Sequence, residues 1–169
     1  TLKNFDRTGG FRLDGFKELV SDNFKERHVV QIGDLIVAHT DLTHDAEVLG
    51  NPAIIMKNEK YTQLVISMDL VKVESKTNEI NTEFLYFLMR DKRFKYHCKG
   101  YANGTTVLHL SKSAISEYLF PFPKSFELTR QYSEYARSVY KKIASNTNEI
   151  QTLTQLRDTL LPKLMSGEL

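Results

Sequence analysis

Two stretches of this chain carry residue types that could meet a phosphate backbone, and a third gathers metal-ligand types. Residues 90–99 hold five basic, one acidic and two aromatic side chains. Lys92, Arg93, Lys95 and Lys99 are suited to phosphate oxygens, which accept hydrogen bonds from ammonium and guanidinium groups. The same pattern also describes a helix face that simply meets water. Tyr101, Asn103, Thr105 and Thr106 follow in a loop punctuated by Gly100 and Gly104. Their polar groups can reach base edges or phosphates, or they can satisfy a tight turn of their own. His39, Asp41, His44 and Asp45 are clustered, but no third histidine or cysteine completes a known zinc spacing. A polar loop is the preferred reading there, with Asp41 and Thr43 holding its shape. His109, between Leu108 and Leu110, reads as a half-buried histidine. Cys98 reads as structural, because His97 beside it in a helix points elsewhere. The sequence contains no Gly-rich nucleotide loop, no Walker pattern and no spaced carboxylate set for divalent-metal nuclease chemistry.

Totals bound the class of protein. At 169 residues, 41% hydrophobic and 26% charged, the chain fits one folded domain plus an appended element. The formal charge is +2, and it is spread evenly: 6 basic against 5 acidic residues in 126–169, near balance in the remainder. A DNA-binding role would therefore need positive charge gathered on one face, not bulk charge. A single cysteine excludes an intrachain disulfide and a multi-cysteine zinc site, and a cytoplasmic setting is expected. No apolar run approaches the roughly 18–20 residues that span a bilayer. The chain starts without Met and without a signal-peptide pattern, so it is expected to be a piece of something longer.

The elements that would position these residues are mixed. Residues 29–38 read as two short strands around a Gly33-Asp34 turn, and residues 53–56, 63–68 and 69–73 as further strands. Asn81 is a candidate N-cap for a helix predicted to run through Met89 and on to about Lys99, ending at Gly100. Residues 111–115 suggest a short capped turn of helix, and Pro121-Phe122-Pro123 a rigid hinge. Irregular alternation of strands and helix predicts an α+β domain over 1–125, followed by a long helix over 126–169.

That last segment has no Gly or Pro from Leu128 until Pro162. Apolar residues recur at Tyr132, Ala136, Val139, Ile143, Ile150, Leu153, Leu160 and Leu164, filling most a and d positions of a heptad frame. Asn146 and Arg157 interrupt the seam at d and a, which would fix register and partner. A seam of this kind needs a cover, and the predicted dimerisation residues are Val139, Ile143, Asn146, Ile150, Leu153, Arg157, Leu160 and Leu164.

The end of the chain, Leu156-Arg157-Asp158-Thr159-Leu160-Leu161-Pro162-Lys163-Leu164 closing on Ser166-Gly167-Glu168, resembles the C-terminal conserved region of type I restriction–modification specificity subunits. Gly33-Asp34-Leu35-Ile36-Val37-Ala38, Val48-Leu49-Gly50-Asn51-Pro52-Ala53, Gly100 through Val107 and Phe120-Pro121-Phe122-Pro123 are similar to the family's target-recognition domain. The resemblance runs from about residue 5 to the end. Family members usually carry two recognition domains and two long helices, whereas this sequence has one of each, as a half-subunit would.

The resemblance implies a non-catalytic subunit that reads one half of a split double-stranded DNA target and docks modification subunits on its helix. S-adenosylmethionine, ATP and Mg chemistry would belong to the modification and restriction subunits, with no cofactor in this chain. Base reading would fall to Arg7, Arg12, Lys17, Thr40, Asp41, Thr43, Thr105 and Thr106, and phosphate positioning to Lys92, Arg93, Lys95 and Lys99. A half-subunit would cover its seam with a second copy, the helices antiparallel. A spacer of about 38 residues is roughly 57 Å long at 1.5 Å per residue, near one and a half turns of DNA. The alternative is a coiled-coil scaffold that regulates a larger complex without touching DNA.

Overall fold

A computed structural model describes residues 1–21, 23–43, 45–56 and 61–167. His44 of the metal-type cluster and the closing Glu168-Leu169 of the tail motif lie outside the described residues. Strands β1 (Val29–Val30), β2 (Leu35–Ala38), β3 (Thr40–Asp41), β4 (Pro52–Ile54), β5 (Leu64–Val65), β6 (Leu70–Val73), β7 (Ala102–Asn103) and β8 (Leu108–Leu110) build small antiparallel sheets. Helices α1 (Thr82–Met89), α2 (Lys92–Gly100) and α3 (Phe126–Ser166) complete an α+β architecture, as expected. No described helix is long and apolar enough to cross a membrane.

The central sheet has the order β4-β2-β6, with Leu35 opposite Ile54 on one side and Val73 on the other. Successive strand residues point to opposite faces, and all four residues of β2 are buried. Leu35 and Val37 join a core with Tyr86, Phe94, Leu110 and Tyr140. Ile36 and Ala38 join a second one with Phe5, Phe11, Ile55 and Leu70. Each such large apolar side chain contributes about 1.5–3 kcal/mol on burial. A continuous apolar run thus marks a strand buried on both faces.

Two expectations change. The helix predicted from Asn81 to about Lys99 is two helices. Asn81 caps α1 by accepting from Phe84 N at 2.8 Å, but Asp91 returns to extended backbone and caps a new helix, accepting from Arg93 N at 2.8 Å. A short carboxylate competing for backbone N–H groups breaks the run, which frees α2 to take its own direction. The cluster expected as a loop between strands begins as β3, which pairs with β8, Thr40 opposite His109 and Asp41 opposite Leu108. Residues 111–118 form turns, with Ala114 N donating to Ser111 O and Glu117 N to Ser113 O.

Helix α3 starts after Ser125, passes through Pro162 and ends at Gly167, whose φ of 74° is a left-handed cap. Its first half is packed into the upstream domain. Thr129, Ser133, Ala136 and Tyr140 are buried along one face, at i, i+4, i+7 and i+11. Asn81 Nδ2 donates to Ser133 O at 2.8 Å, Ser133 Oγ to Glu79 O at 3.1 Å, and Tyr140 OH to Ile54 O at 3.2 Å. Tyr140 also meets Tyr86 edge-on at 5.1 Å, and its hydroxyl pKa is raised, chiefly by burial. From Thr152 onward every described residue is exposed. The whole of α3, 41 residues, is about 60 Å long at 1.5 Å per residue, close to the roughly 57 Å expected, and the part beyond Gln151 makes up about 22 Å of it.

Candidate nucleic-acid interface

The loops that carry most of the candidate contacts are held together by a buried polar framework. Asp41, at the end of β3, is 2% exposed. One carboxylate oxygen accepts from Thr43 N and Thr43 Oγ1, both at 2.8 Å, and the other from Val48 N and Leu49 N. Burial alone would push this carboxyl up, but the hydrogen bonds from Thr43, Val48 and Leu49 together hold it below its ordinary range. Thr40 Oγ1 donates to Asp69 Oδ1 at 2.8 Å, and Thr40 is buried. Both residues were expected among base-reading side chains. The structure turns their polar groups inward, Asp41 onto Thr43, Val48 and Leu49 and Thr40 onto Asp69.

Lys95 is likewise turned inward. It was grouped with the phosphate-contacting side chains, yet its Nζ donates to Glu47 O at 2.9 Å, Leu49 O at 2.7 Å and Asn51 Oδ1 at 2.7 Å. Desolvation brings its pKa down to about 8, against the smaller opposing pull of Asp41. Asn51, 6% exposed, turns its Nδ2 toward Asp6 O, Arg7 O and Glu47 O at 3.2, 3.0 and 3.2 Å. Arg7 pairs with Glu47 at 3.3 Å and remains 76% exposed. Arg90 spans from α1 to the same loop, donating to Thr8 O at 3.1 Å, with its guanidinium over the Tyr86 ring at 5.7 Å. Asn51 and Arg90 escaped the sequence reading. Asn51 stood inside a quoted motif, but nothing in its neighbours reveals a partner more than forty positions away.

The remaining candidates are outward. Lys92, Tyr96 and Lys99 fall on one face of α2 at i, i+4 and i+7 and all are exposed. No ion pair occupies Lys92 or Lys99 among the described residues. Arg93 is exposed but spends itself on Asp91, at 2.9 Å. The opposite face of α2 buries Phe94 and Cys98. Gly50, at φ +75°, lies so near that a Cβ there would meet Cys98 Sγ at 2.7 Å. Burial pushes the Cys98 thiol up to about 11, which suits packing and not nucleophilic chemistry.

Strand pairing decides which loops share an end of the sheet. Because β3 runs antiparallel to β8, the residues following Asp41 emerge beside the 104–107 tip of the β7–β8 hairpin. Thr105 and Thr106 are exposed on that tip. Gly104, at φ +116°, is required by its own turn, since a Cβ would run into Val107 O. Thr43 is half-buried and tied to Asp41. Behind this end, His39 has its pKa lowered by burial first and by the charges of His109 and Lys112 second. Of two further expected contacts, Arg12 is paired with Asp14 at 2.7 Å, and Lys17 lies on the exposed segment beyond it. Among the described residues, no three His, Cys, Asp or Glu side chains converge as a metal set.

A family model described as the type I restriction modification DNA specificity domain matches residues 15–155. The chain belongs to this family. The HindI type I restriction enzyme specificity subunit of Haemophilus influenzae is 33% identical over 93 residues, 54% of this chain and 20% of that protein. The MjaIX specificity subunit of Methanocaldococcus jannaschii is 33% identical over 88 residues, 51% of this chain and 19% of its own length. The matched stretch, about half of this chain, thus covers about a fifth of each of these subunits.

Along α3 of this specificity domain, the predicted seam adjoins the docked face, shares Ala136 with it and turns away from it toward the C-terminus. Val139 and Ile143 are half-buried, and Asn146, Ile150, Leu153, Arg157, Leu160 and Leu164 are exposed. Arg157 pairs with its neighbour Asp158 at 2.6 Å. Ala136, placed in the seam by the heptad frame, belongs to the docked face and is 2% exposed.

Proposed function

We propose that this chain is the non-catalytic DNA-recognition element of a type I restriction–modification complex and reads one half of a split target. The observation that carries the reading is that the 6–7 and 47–51 segments are bonded together on α2 and that the residues after Asp41 emerge beside the 104–107 tip, in a member of the specificity-domain family. Arg7, Thr105 and Thr106 are the outward side chains suited to base edges on these loops, and Lys92 and Lys99 are suited to phosphates. Arg12, Lys17 and Arg93 would extend the backbone contact. Modification subunits, with their S-adenosylmethionine, and a restriction subunit using ATP and Mg supply the chemistry in this reading. The setting is cytoplasmic.

The unpartnered stripe of α3 supports pairing with a second copy. It runs from Leu128 through Tyr135, Val139, Ile150, Leu153 and Leu160 to Leu164, with Asn146 at its midpoint; Tyr132 beside it is already met edge-on by Phe84 at 5.1 Å. In an antiparallel pair of identical helices the two-fold axis would bring Asn146 against its counterpart and Arg157 near Tyr135 of the second copy.

The test is selection from a randomised duplex pool, with modification subunits present, at near-physiological salt. Recovery of a split, inverted-repeat motif is expected. Salt-sensitive background with no motif would replace this reading by the coiled-coil scaffold, which the same apolar stripe also favours.

A further inference from the structure

We infer that Lys95 is a positioning residue that sets sequence selectivity by locking the 6–7 and 47–51 backbone segments to α2, and that it makes no phosphate contact. The inference rests on the DNA-reading role proposed above. An ammonium has three N–H donors, and the Nζ of Lys95 has three acceptors within 2.9 Å: Glu47 O, Leu49 O and Asn51 Oδ1. Nothing is left over for a phosphate oxygen. One turn along the same helix, Lys99 is exposed and free of ion pairs among the described residues, so the two lysines divide the work.

The bonds of Lys95 gain reach through Asn51. With its oxygen held by Lys95, the Asn51 amide has its Nδ2 fixed toward Asp6 O, Arg7 O and Glu47 O. Asp41 pins the same 43–49 segment from its other side through Thr43, Val48 and Leu49. A single cation on α2 therefore governs the separation of Arg7 from the 42–49 loop, two parts of the proposed reading surface. Base readout depends on placing donors and acceptors within hydrogen-bond tolerance, whereas phosphate attraction tolerates displacement. Loss of the clamp should therefore cost discrimination and leave charge-driven affinity in place.

The experiment measures binding of the full chain, with modification subunits, to the duplex selected by the wild type and to a shuffled duplex, across a salt series. The variants are Lys95→Met, Lys95→Arg and, for contrast, Lys99→Ala. Lys95→Met and Lys95→Arg should each lower the ratio of selected to shuffled affinity by on the order of tenfold, the size of one lost base contact, with the wild-type salt slope. Lys99→Ala should keep the ratio and reduce the slope by about one. Lys95→Arg keeps the charge, so it would preserve ratio and slope if the lysine met a phosphate. A wild-type ratio in Lys95→Arg, or a slope reduced in Lys95→Met with an unchanged ratio, overturns the inference. Amide hydrogen exchange on the same variants without DNA separates the two layers. Faster exchange at 6–10 and 47–51, with α1 and the central sheet still protected, verifies the clamp. If the wild type selects no motif while that exchange pattern appears, the DNA reading fails and the clamp stands; unchanged exchange removes the clamp itself.

Discussion

The two halves of α3 share one apolar stripe but live in different surroundings. In the first half a second face, built from Thr129, Ser133, Ala136 and Tyr140, is sealed against α1 and the central sheet. Beyond Gln151 no such face exists among the described residues, and Leu153, Leu156, Leu160, Leu161 and Leu164 stand more than a third exposed. Stability of the domain should therefore be written in the first half and association in the second. The docked face is poor in large apolar residues and relies on close approach and on hydrogen bonds through Asn81, Ser133 and Tyr140. The projecting face is rich in leucine and forms no comparable bond. A helix can thus be a core element and a docking rod along one continuous backbone.

Substitutions can break that contrast. Ala136→Glu should be the most damaging, because it forces an unpaired charge beneath α1; a loss of about 3–5 kcal/mol is expected in urea unfolding of the monomeric chain. Leu153→Glu should leave monomer unfolding within about 0.5 kcal/mol. It should reduce self-association by at least about tenfold in sedimentation equilibrium, since a charge would enter an a/d seam. Equal effects of the two changes on monomer stability would erase the distinction between the halves. Tyr140→Phe is subtler. It removes the donor to Ile54 O and should cost about 1–2 kcal/mol, read from the denaturation midpoint with an unchanged slope.

A pH series sharpens the comparison between the domain's framework and its rod. The Lys95 pKa is about 8 in the folded chain against 10.5 as a free side chain. Between these values the unfolded chain holds the proton more tightly, so stability should rise with pH across that window. Lys95→Met should abolish the rise. Asp41 works in the opposite range: its carboxyl is held below the ordinary 3.8 in the folded state. The stability it contributes is present above that value and is lost as pH falls through the folded pKa, a slope that Asp41→Asn should flatten. Leu153→Glu should leave the Lys95 window unchanged in monomer unfolding.

Much of this was legible in the residues. The apolar run at 35–38, the Asn81 cap and the α3 span all follow from local rules of periodicity, capping and backbone restriction. The break at Asp91 was also local, but a short carboxylate between two helix-compatible stretches gives a weak signal. The docked face of α3 was hidden because its buried residues are threonine, serine, alanine and tyrosine, so a search for apolar periodicity settles on the more hydrophobic stripe beside it. In the candidate site, residue type pointed to Lys95 as a surface cation, and type could not reveal that Glu47, Leu49 and Asn51 surround it.

The sequence by itself determined the α+β class, the long helix with its leucine-rich seam and the motifs that mark the specificity-domain family. These are properties of neighbours along the chain, governed by side-chain spacing and backbone preference. Only the tertiary structure decided which basic residues face outward, which loops share an end of the β3–β8 sheet and which half of α3 is core. Those outcomes depend on partners forty or more residues away, and burial, not residue type, determines whether a cation such as Lys95 is free to meet DNA or is committed to holding the fold.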